Sequence, residues 1–238
     1  KTITVDSTTD GEIKSYTGQG GFSAGSYVDT TAYIKHHGTN TITIDGSTLR
    51  AVNAASTSVN PLSIHAWNQT KINNSAFGLN YGGLVAGRVV LEGEDSTEVK
   101  IELGKDANVN KANSFSASKI VNNKAVNADI SVLAENRPLV KDEINAGVSV
   151  GGVAAGGSLV VSKANGKAIL DVSNKNSFKG QSVAFETNTS SQKKWDAATE
   201  KYIDEYTVEA INHAVGVTAL SINVDKVRTF SNMEASTT

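Results

Sequence analysis

Short stretches of alternating apolar and polar residues recur along the chain and predict β-strands. The clearest are Ile42-Thr43-Ile44, Val99-Lys100-Ile101-Glu102-Leu103 and Ala168-Ile169-Leu170-Asp171-Val172. Every second side chain is apolar in each stretch, which is the period of a strand with one buried face. The stretches are short, rich in valine and isoleucine, and separated by glycine, asparagine, serine or aspartate, so helical solenoids are disfavoured.

The stretches belong to a long repeat that begins with a glycine motif. The motif occurs as Gly20-Gly21-Phe22-Ser23-Ala24-Gly25, Gly82-Gly83-Leu84-Val85-Ala86-Gly87 and Gly151-Gly152-Val153-Ala154-Ala155-Gly156. Further markers are Ser114-Phe115, matched by Ser177-Phe178, and the pairs Ile72-Asn73, Ile144-Asn145 and Ile211-Asn212. A spacing of about 60 to 70 residues between copies indicates a stacked repeat architecture.

The predicted fold is all-β, a right-handed parallel β-helix. With roughly 20 to 25 residues in a rung, one long repeat forms about three rungs and the chain about ten. We expect one segment, 1–238, cut from a longer chain, with repeats at 12–71, 72–143 and 144–210 and a partial one at 211–238. A β-sandwich, or a pair of them, is the competing fold. The side chains expected to line the interior are Ile42, Ile44, Val99, Ile101, Leu103, Leu170, Val172, Ile222 and Val224.

Irregular excursions from the rod are expected at 57–71, 133–143 and 189–207, which contain both prolines and both tryptophans. In the third, the spacing of Trp195, Ala198, Tyr202 and Tyr206 predicts a short helix near 191–206. Exposed aromatic residues can anchor a partner. The candidate ligand-binding residues are therefore Trp67, Trp195, Tyr202 and Tyr206, unless these side chains pack back onto the rod.

Composition and charge narrow the function. The formal net charge is -2 with no basic run, which argues against nucleic-acid binding. There is no cysteine for a disulfide or thiolate site, and no apolar stretch of roughly 18 residues that would insert in a membrane. The histidines His36, His37, His65 and His213 lack metal-ligand spacing, and the acidic cluster Glu92, Glu94, Asp95 is interpreted as a solvated turn. We therefore expect no enzyme, no catalytic residue, no metal and no cofactor.

The glycine-rich corners joined to valine and isoleucine alternation resemble the passenger regions of large bacterial secreted adhesins. The residues that carry this resemblance include Val99-Lys100-Ile101-Glu102-Leu103-Gly104-Lys105-Asp106-Ala107-Asn108-Val109. The resemblance is to filamentous haemagglutinin-like exoproteins, leukotoxins and autotransporters, and it implies a β-helical rod that is secreted or displayed on the outer surface.

The resemblance implies a function for this segment. We expect a structural and adhesive segment, monomeric, that binds host-cell protein or glycan through its projecting loops. Two alternatives remain open: a fragment of a secreted cytotoxin with no activity alone, and a β-helical polysaccharide lyase or hydrolase.

Overall fold

The chain is built almost entirely of strands. The computed structural model describes residues 2–53, 61–205 and 207–238. Strands account for 83% of it and those ranges contain no helix, so the all-β prediction is confirmed. The strands are β1 (Ile3–Phe22), β2 (Gly25–Ile44), β3 (Thr48–Asn53), β4 (Leu62–Leu103), β5 (Asn113–Val121), β6 (Lys124–Asn127), β7 (Ile130–Asn136), β8 (Leu139–Val172), β9 (Asn176–Lys179), β10 (Val183–Thr189), β11 (Lys193–Asp196), β12 (Lys201–Asp204) and β13 (Val208–Thr237).

The main sheet is parallel, curls into a half-barrel and stacks four layers in chain order. The first layer contains β1 and β2, the second β4, the third β7 and β8, and the fourth β10 and β13. A second sheet repeats this order with the parallel strands β3, β5 and β9, and β6 forms a hairpin with β5. Each turn of the chain thus contributes one layer to both sheets.

The register of the main sheet fixes the length of a turn. Ile42 pairs with Ile101, 59 residues later, and Ile101 pairs with Leu170, 69 residues later. Leu170 in turn pairs with Thr237, after 67 residues. One long repeat is therefore one turn, and the prediction of three rungs per repeat, and with it about ten rungs, is wrong. The short apolar stretches are parts of long curled strands that have polar residues at many inward positions.

The main core lies between the second sheet and the two ends of the long strands. Ile44, Ile101 and Leu170 all point into it, as predicted, together with Ile42, Val99 and Leu103, while Val172 is partly buried against it. Phe115 and Phe178, from the matching Ser-Phe pairs, are register partners whose stacked rings lie 4.8 Å apart. The predicted stacking of equivalent positions is thus confirmed in this part of the chain.

Beyond the core, each layer continues into a projection with two facing walls, which we call the fin. It comprises residues 72–97 of the second layer and their register partners 13–38, 140–166 and 208–233. Ala76 of the outbound wall packs in one buried cluster with Val89 and Leu91 of the returning wall. Asn80 Nδ2 donates across the fin to the Ala86 carbonyl at 3.4 Å.

The glycine motifs form the tip of the fin, where the chain reverses. Gly82 and Gly151 are register partners, and a Cβ on Gly151 would lie 2.3 Å from the Gly82 carbonyl oxygen. Only glycine permits so close an approach of two backbones. In the first layer the motif is displaced by three residues, because Gly25 pairs with Leu84 rather than with Gly87.

Two residues expected in the shared interior point outward instead. Ile222 and Val224 of β13 are 67% and 59% exposed. Their register partners are Ala155 and Gly157, and Ala155 continues through Ala86 to the exposed Tyr27. The prediction is wrong because alternation alone does not tell which face of the fin is inward.

The isoleucine–asparagine pairs do not mark equivalent points of the turn. Ile72 pairs with Val140, whereas Ile144 pairs with Ala76, four residues further along. The spacing of the predicted repeats nevertheless matches that of the layers. The division of residues 1–238 into one segment with these repeat boundaries stays a prediction.

Two of the three stretches expected to be irregular are regular strand. In the first, residues 62–71 belong to β4, while 57–60 lie outside the described residues; the second, 133–143, belongs to β7 and β8 apart from Arg137 and Pro138. After Ala66, the inward positions of β4 are Asn68 and Thr70. Alternation thus continues with polar residues, which removed the apolar signal of a strand.

Opposite charges alternate from layer to layer on the outward face. Lys35, Glu94 and Lys163 are register partners, and the two lysine Nζ atoms lie 3.6 and 3.9 Å from Glu94 Oε2. Lys163 Nζ also lies 2.8 Å from Glu92 Oε1. The interpretation of the acidic cluster as a solvated turn is therefore wrong: it lies in β4, and Asp95 is buried.

Candidate binding site

The third excursion is an antiparallel β-hairpin, β11–β12, inserted between the two strands of the fourth layer. The helix expected near 191–206 is wrong. The Asp196 carboxylate accepts from the Ala198 N–H at 3.1 Å and from Thr199 Oγ1 at 2.7 Å, and Glu200 has a φ of 52°. These bonds lower the pKa of Asp196, chiefly through Thr199. Local aspartate bonds and a left-handed residue favour a turn over a helix.

The hairpin presents two aromatic rings to solvent. Trp195 and Tyr202 pair across the hairpin, with ring centroids 5.2 Å apart and planes at 68°. They are 55% and 68% exposed, so the alternative that they pack back onto the rod does not hold for either. Three lysines and three carboxylates surround them, in the stretch Lys193-Lys194-Trp195-Asp196-Ala197-Ala198-Thr199-Glu200-Lys201-Tyr202-Ile203-Asp204.

Buried hydrogen bonds attach the base of the hairpin to the stack. Gln192, which is 5% exposed, donates from Nε2 to the carbonyls of Thr70 and Arg137, each at 2.8 Å. The Glu205 N–H donates to the Gln192 carbonyl at 2.7 Å, and Glu205 Oε1 lies 3.5 Å from Lys71 Nζ. The hairpin is therefore joined to the second and third layers at a defined position.

An open polar groove begins at this base and crosses the outward face of the layers. Its volume is about 330 Å³. Amide, hydroxyl and ammonium groups line it, including those of Lys14, Lys71, Asn73, Ser75, Lys141 and Asn145, with Glu205 at the hairpin end. Each lysine has a carboxylate neighbour, such as Glu12 for Lys14 at 2.8 Å. The groove thus offers many donors and acceptors without a strong net charge.

The other two candidate residues are not part of the aromatic pair. Trp67 lies on β4, half-buried, and its ring stacks on His65 with centroids 6.3 Å apart. Tyr206 lies outside the described residues. The structure therefore brings together Trp195 and Tyr202 and places Trp67 elsewhere.

A buried polar layer separates the core from the fin. Asn136 accepts from Asn68 Nδ2 at 2.8 Å and from Thr97 Oγ1 at 3.1 Å, and it donates to the carbonyls of Thr97 and Lys167 at 2.8 and 3.1 Å. Asn68, Thr97 and Asn136 are almost fully buried. Because each is hydrogen-bonded, much of their desolvation is offset. These bonds join successive layers.

Two buried aspartates extend the polar interior into the fin. Asp95 accepts from Thr70 Oγ1 and lies 2.9 Å from His36 Nδ1, yet burial raises its pKa. Asp142 accepts from Ser162 Oγ, and burial raises its pKa to about 6. Both carboxylates are fully enclosed, so they support the fold rather than meet a ligand.

The described residues contain no group of three or more histidine, cysteine, aspartate or glutamate side chains that could hold a metal ion. Nor do they include a helix long and apolar enough to cross a bilayer.

Sequence reasoning identified the exposed aromatic residues but missed the groove, because Lys14, Lys71 and Lys141 come from three layers. The hairpin itself left a signal, since Lys-Lys-Trp-Asp and Lys-Tyr-Ile-Asp flank a short Ala-Ala-Thr-Glu segment. Comparison with known proteins found no matching family model, no matching curated protein and no matching solved structure.

Proposed function

We propose that this chain is a structural and adhesive segment of a large secreted bacterial surface protein, and that it binds a host-surface glycan through β11–β12 and the adjoining groove. The observation that carries the proposal is the exposed pair Trp195–Tyr202 on a hairpin anchored by buried hydrogen bonds. A rigid aromatic surface loses little conformational entropy on binding.

The groove favours a glycan over a protein partner. Sugar hydroxyls need both donors and acceptors, and the groove supplies amides at Asn73 and Asn145, a hydroxyl at Ser75 and an ammonium at Lys141. Sugar rings have apolar faces that can lie against Trp195 or Tyr202. An extended glycan could therefore contact the rings with one residue and the groove with the next.

The layers supply the structural part of the proposed role. We propose that the chain coils with a right hand, because connections between parallel strands of one sheet are almost always right-handed. The layered sheets hold the hairpin on one outward face, which suits a rod that displays binding loops. In this proposal the chain is not an enzyme and is secreted or displayed on the outer surface.

The test is binding of the purified chain to a glycan array and to host cells. Trp195→Ser with Tyr202→Ser should weaken binding at least about 30-fold, the loss of an aromatic anchor of about 2 kcal/mol. Tyr27→Ser removes a similarly exposed ring at the fin tip and is the matched control.

Equal binding by the hairpin variant and the wild type would refute the proposal. Binding to host cells that survives enzymatic removal of their glycans would point to a protein partner instead. Release of product from an acidic or neutral glycan would contradict the non-enzymatic role.

A further inference from the structure

The first and last layers of the main sheet each have a free edge. Within the described residues β13 pairs only with β8, and β1 and β2 pair only with β4. Apolar side chains are exposed there: Val227 is 48% exposed, whereas Val160, its partner one layer inward, is fully buried. The exposure of Val227 therefore comes from the lack of a following layer, since the position itself faces inward.

We propose that the fourth layer of one copy of this chain pairs in parallel with the first layer of a second copy, so that the stack continues from molecule to molecule. The internal register defines the match. Following partners from layer to layer places Val208 opposite Ile13 at one end and Thr237 opposite Ile42 at the other. Both edges run in the same direction along the same curled path, so the pairing needs no new geometry.

Side chains along this match are complementary in polarity. Apolar residues meet at Val227 opposite Ala32, Ile222 opposite Tyr27 and Ile211 opposite Tyr16. Such cross-strand apolar contacts stabilise neighbouring strands. An inward position would therefore be covered by an inward position of the next copy, and an outward one by an outward one.

Charges along the match are complementary too. Glu209 would lie opposite Lys14, Arg228 opposite Tyr33, and Phe230 opposite Lys35. The first is an ion pair and the other two bring a cation to an aromatic ring. Between residues 208–237 and their partners 13–42 no two like charges are opposed, as in the internal ladder of Lys35, Glu94 and Lys163.

The proposed contact is head to tail, so each added copy leaves a new free edge and the assembly is open-ended. This differs from the monomer expected from the sequence. It does not depend on the proposed adhesive role, because the hairpin takes no part in the contact.

The edge can be blocked at one backbone group. The Ile44 carbonyl accepts from the Gly104 N–H at 2.8 Å, so even-numbered residues of β2 direct their backbone groups to β4. Alternation then directs the N–H of Thr31, whose side chain is exposed, to the free edge. Thr31→Pro removes this donor and leaves the internal layers untouched, and Thr31→Val keeps it as the matched control.

Sedimentation velocity and negative-stain electron microscopy should show the wild-type chain and Thr31→Val growing into rods from micromolar to millimolar concentration. Thr31→Pro should stay monomeric with an unchanged strand signal in circular dichroism. A wild-type chain that stays monomeric throughout this range would overturn the proposal. So would an assembly that stops at a closed dimer.

A charge exchange tests the register independently of the proline. Lys14→Glu and Glu209→Lys each place like charges opposite one another between identical copies, and each should weaken assembly about fivefold. An equal mixture of the two variants restores opposite charges at every contact and should assemble like the wild type. A mixture no better than either variant alone would contradict the register.

Discussion

Replacing Asp142 with asparagine removes one ionisable group from the interior of the fin and preserves the size and shape of the side chain. Asp142 is fully buried, and its carboxylate accepts from Ser162 Oγ. An asparagine carbonyl can accept the same bond. The substitution therefore tests the electrical cost of burial with little change in packing.

The expected magnitude follows from the pKa of Asp142, which burial raises from an ordinary 3.8 to about 6. The folded chain then holds the proton more tightly than the unfolded chain. The resulting stability is fully present below about pH 4 and is lost as the pH rises through about 6. A pKa difference of about two corresponds to about 3 kcal/mol. Asp142→Asn cannot ionise and should exceed the wild type in stability by about 3 kcal/mol at pH 7.

The assay is urea unfolding of the wild type and Asp142→Asn at several values between about pH 4 and pH 8. The two free energies of unfolding should nearly coincide at the acid end and diverge as the pH rises through about 6. Asp10→Asn, at an exposed position in β1, is the control and should show no such divergence. A difference between Asp142→Asn and the wild type that is constant over this range would refute the reasoning, because packing effects do not titrate.

Three further substitutions test other parts of the structure. Phe115→Ala should lower the free energy of unfolding by about 3–5 kcal/mol in urea titrations, because it empties a fully buried site against Phe178. Asn136→Ala should lower it by about 2 kcal/mol or more, because the buried Asn68 amide and the Lys167 carbonyl lose a partner; a loss below about 0.5 kcal/mol would contradict the buried network. Glu200→Gly should stabilise the hairpin by up to about 1 kcal/mol, measured as slower amide exchange in β11 and β12, because glycine adopts a φ of 52° without strain.

Sequence patterns predicted the fold best where aliphatic alternation met the core. Val99–Leu103 and its partners at Ala168–Val172 were recognised as strands, and the two Ser-Phe pairs proved to be neighbours. The length of β4 could not be predicted, because its inward positions include Asn68, Thr70 and Asn74. A polar residue at an inward position resembles a loop residue until its buried partner is known.

The candidate site was partly predictable for a similar reason. Trp195 and Tyr202 stood out as large aromatic residues in a polar stretch, and both are exposed. Their helical spacing misled because the Asp196 side chain bonds locally and closes a turn. The groove depends on which residues of different layers are neighbours, and that register is a property of the whole stack.

The long turn of the chain has a consequence for how the molecule reaches its native state. Backbone bonds between layers join residues 59 to 69 apart, so the first contact must close a large loop. Closing about 60 residues rather than about 20 adds only about 1 kcal/mol of entropy, but such distant pairing slows the initial event. Once two layers have formed a nucleus, each later strand can zip onto an existing template. We therefore expect a lag before nucleation, followed by rapid growth of order along the stack.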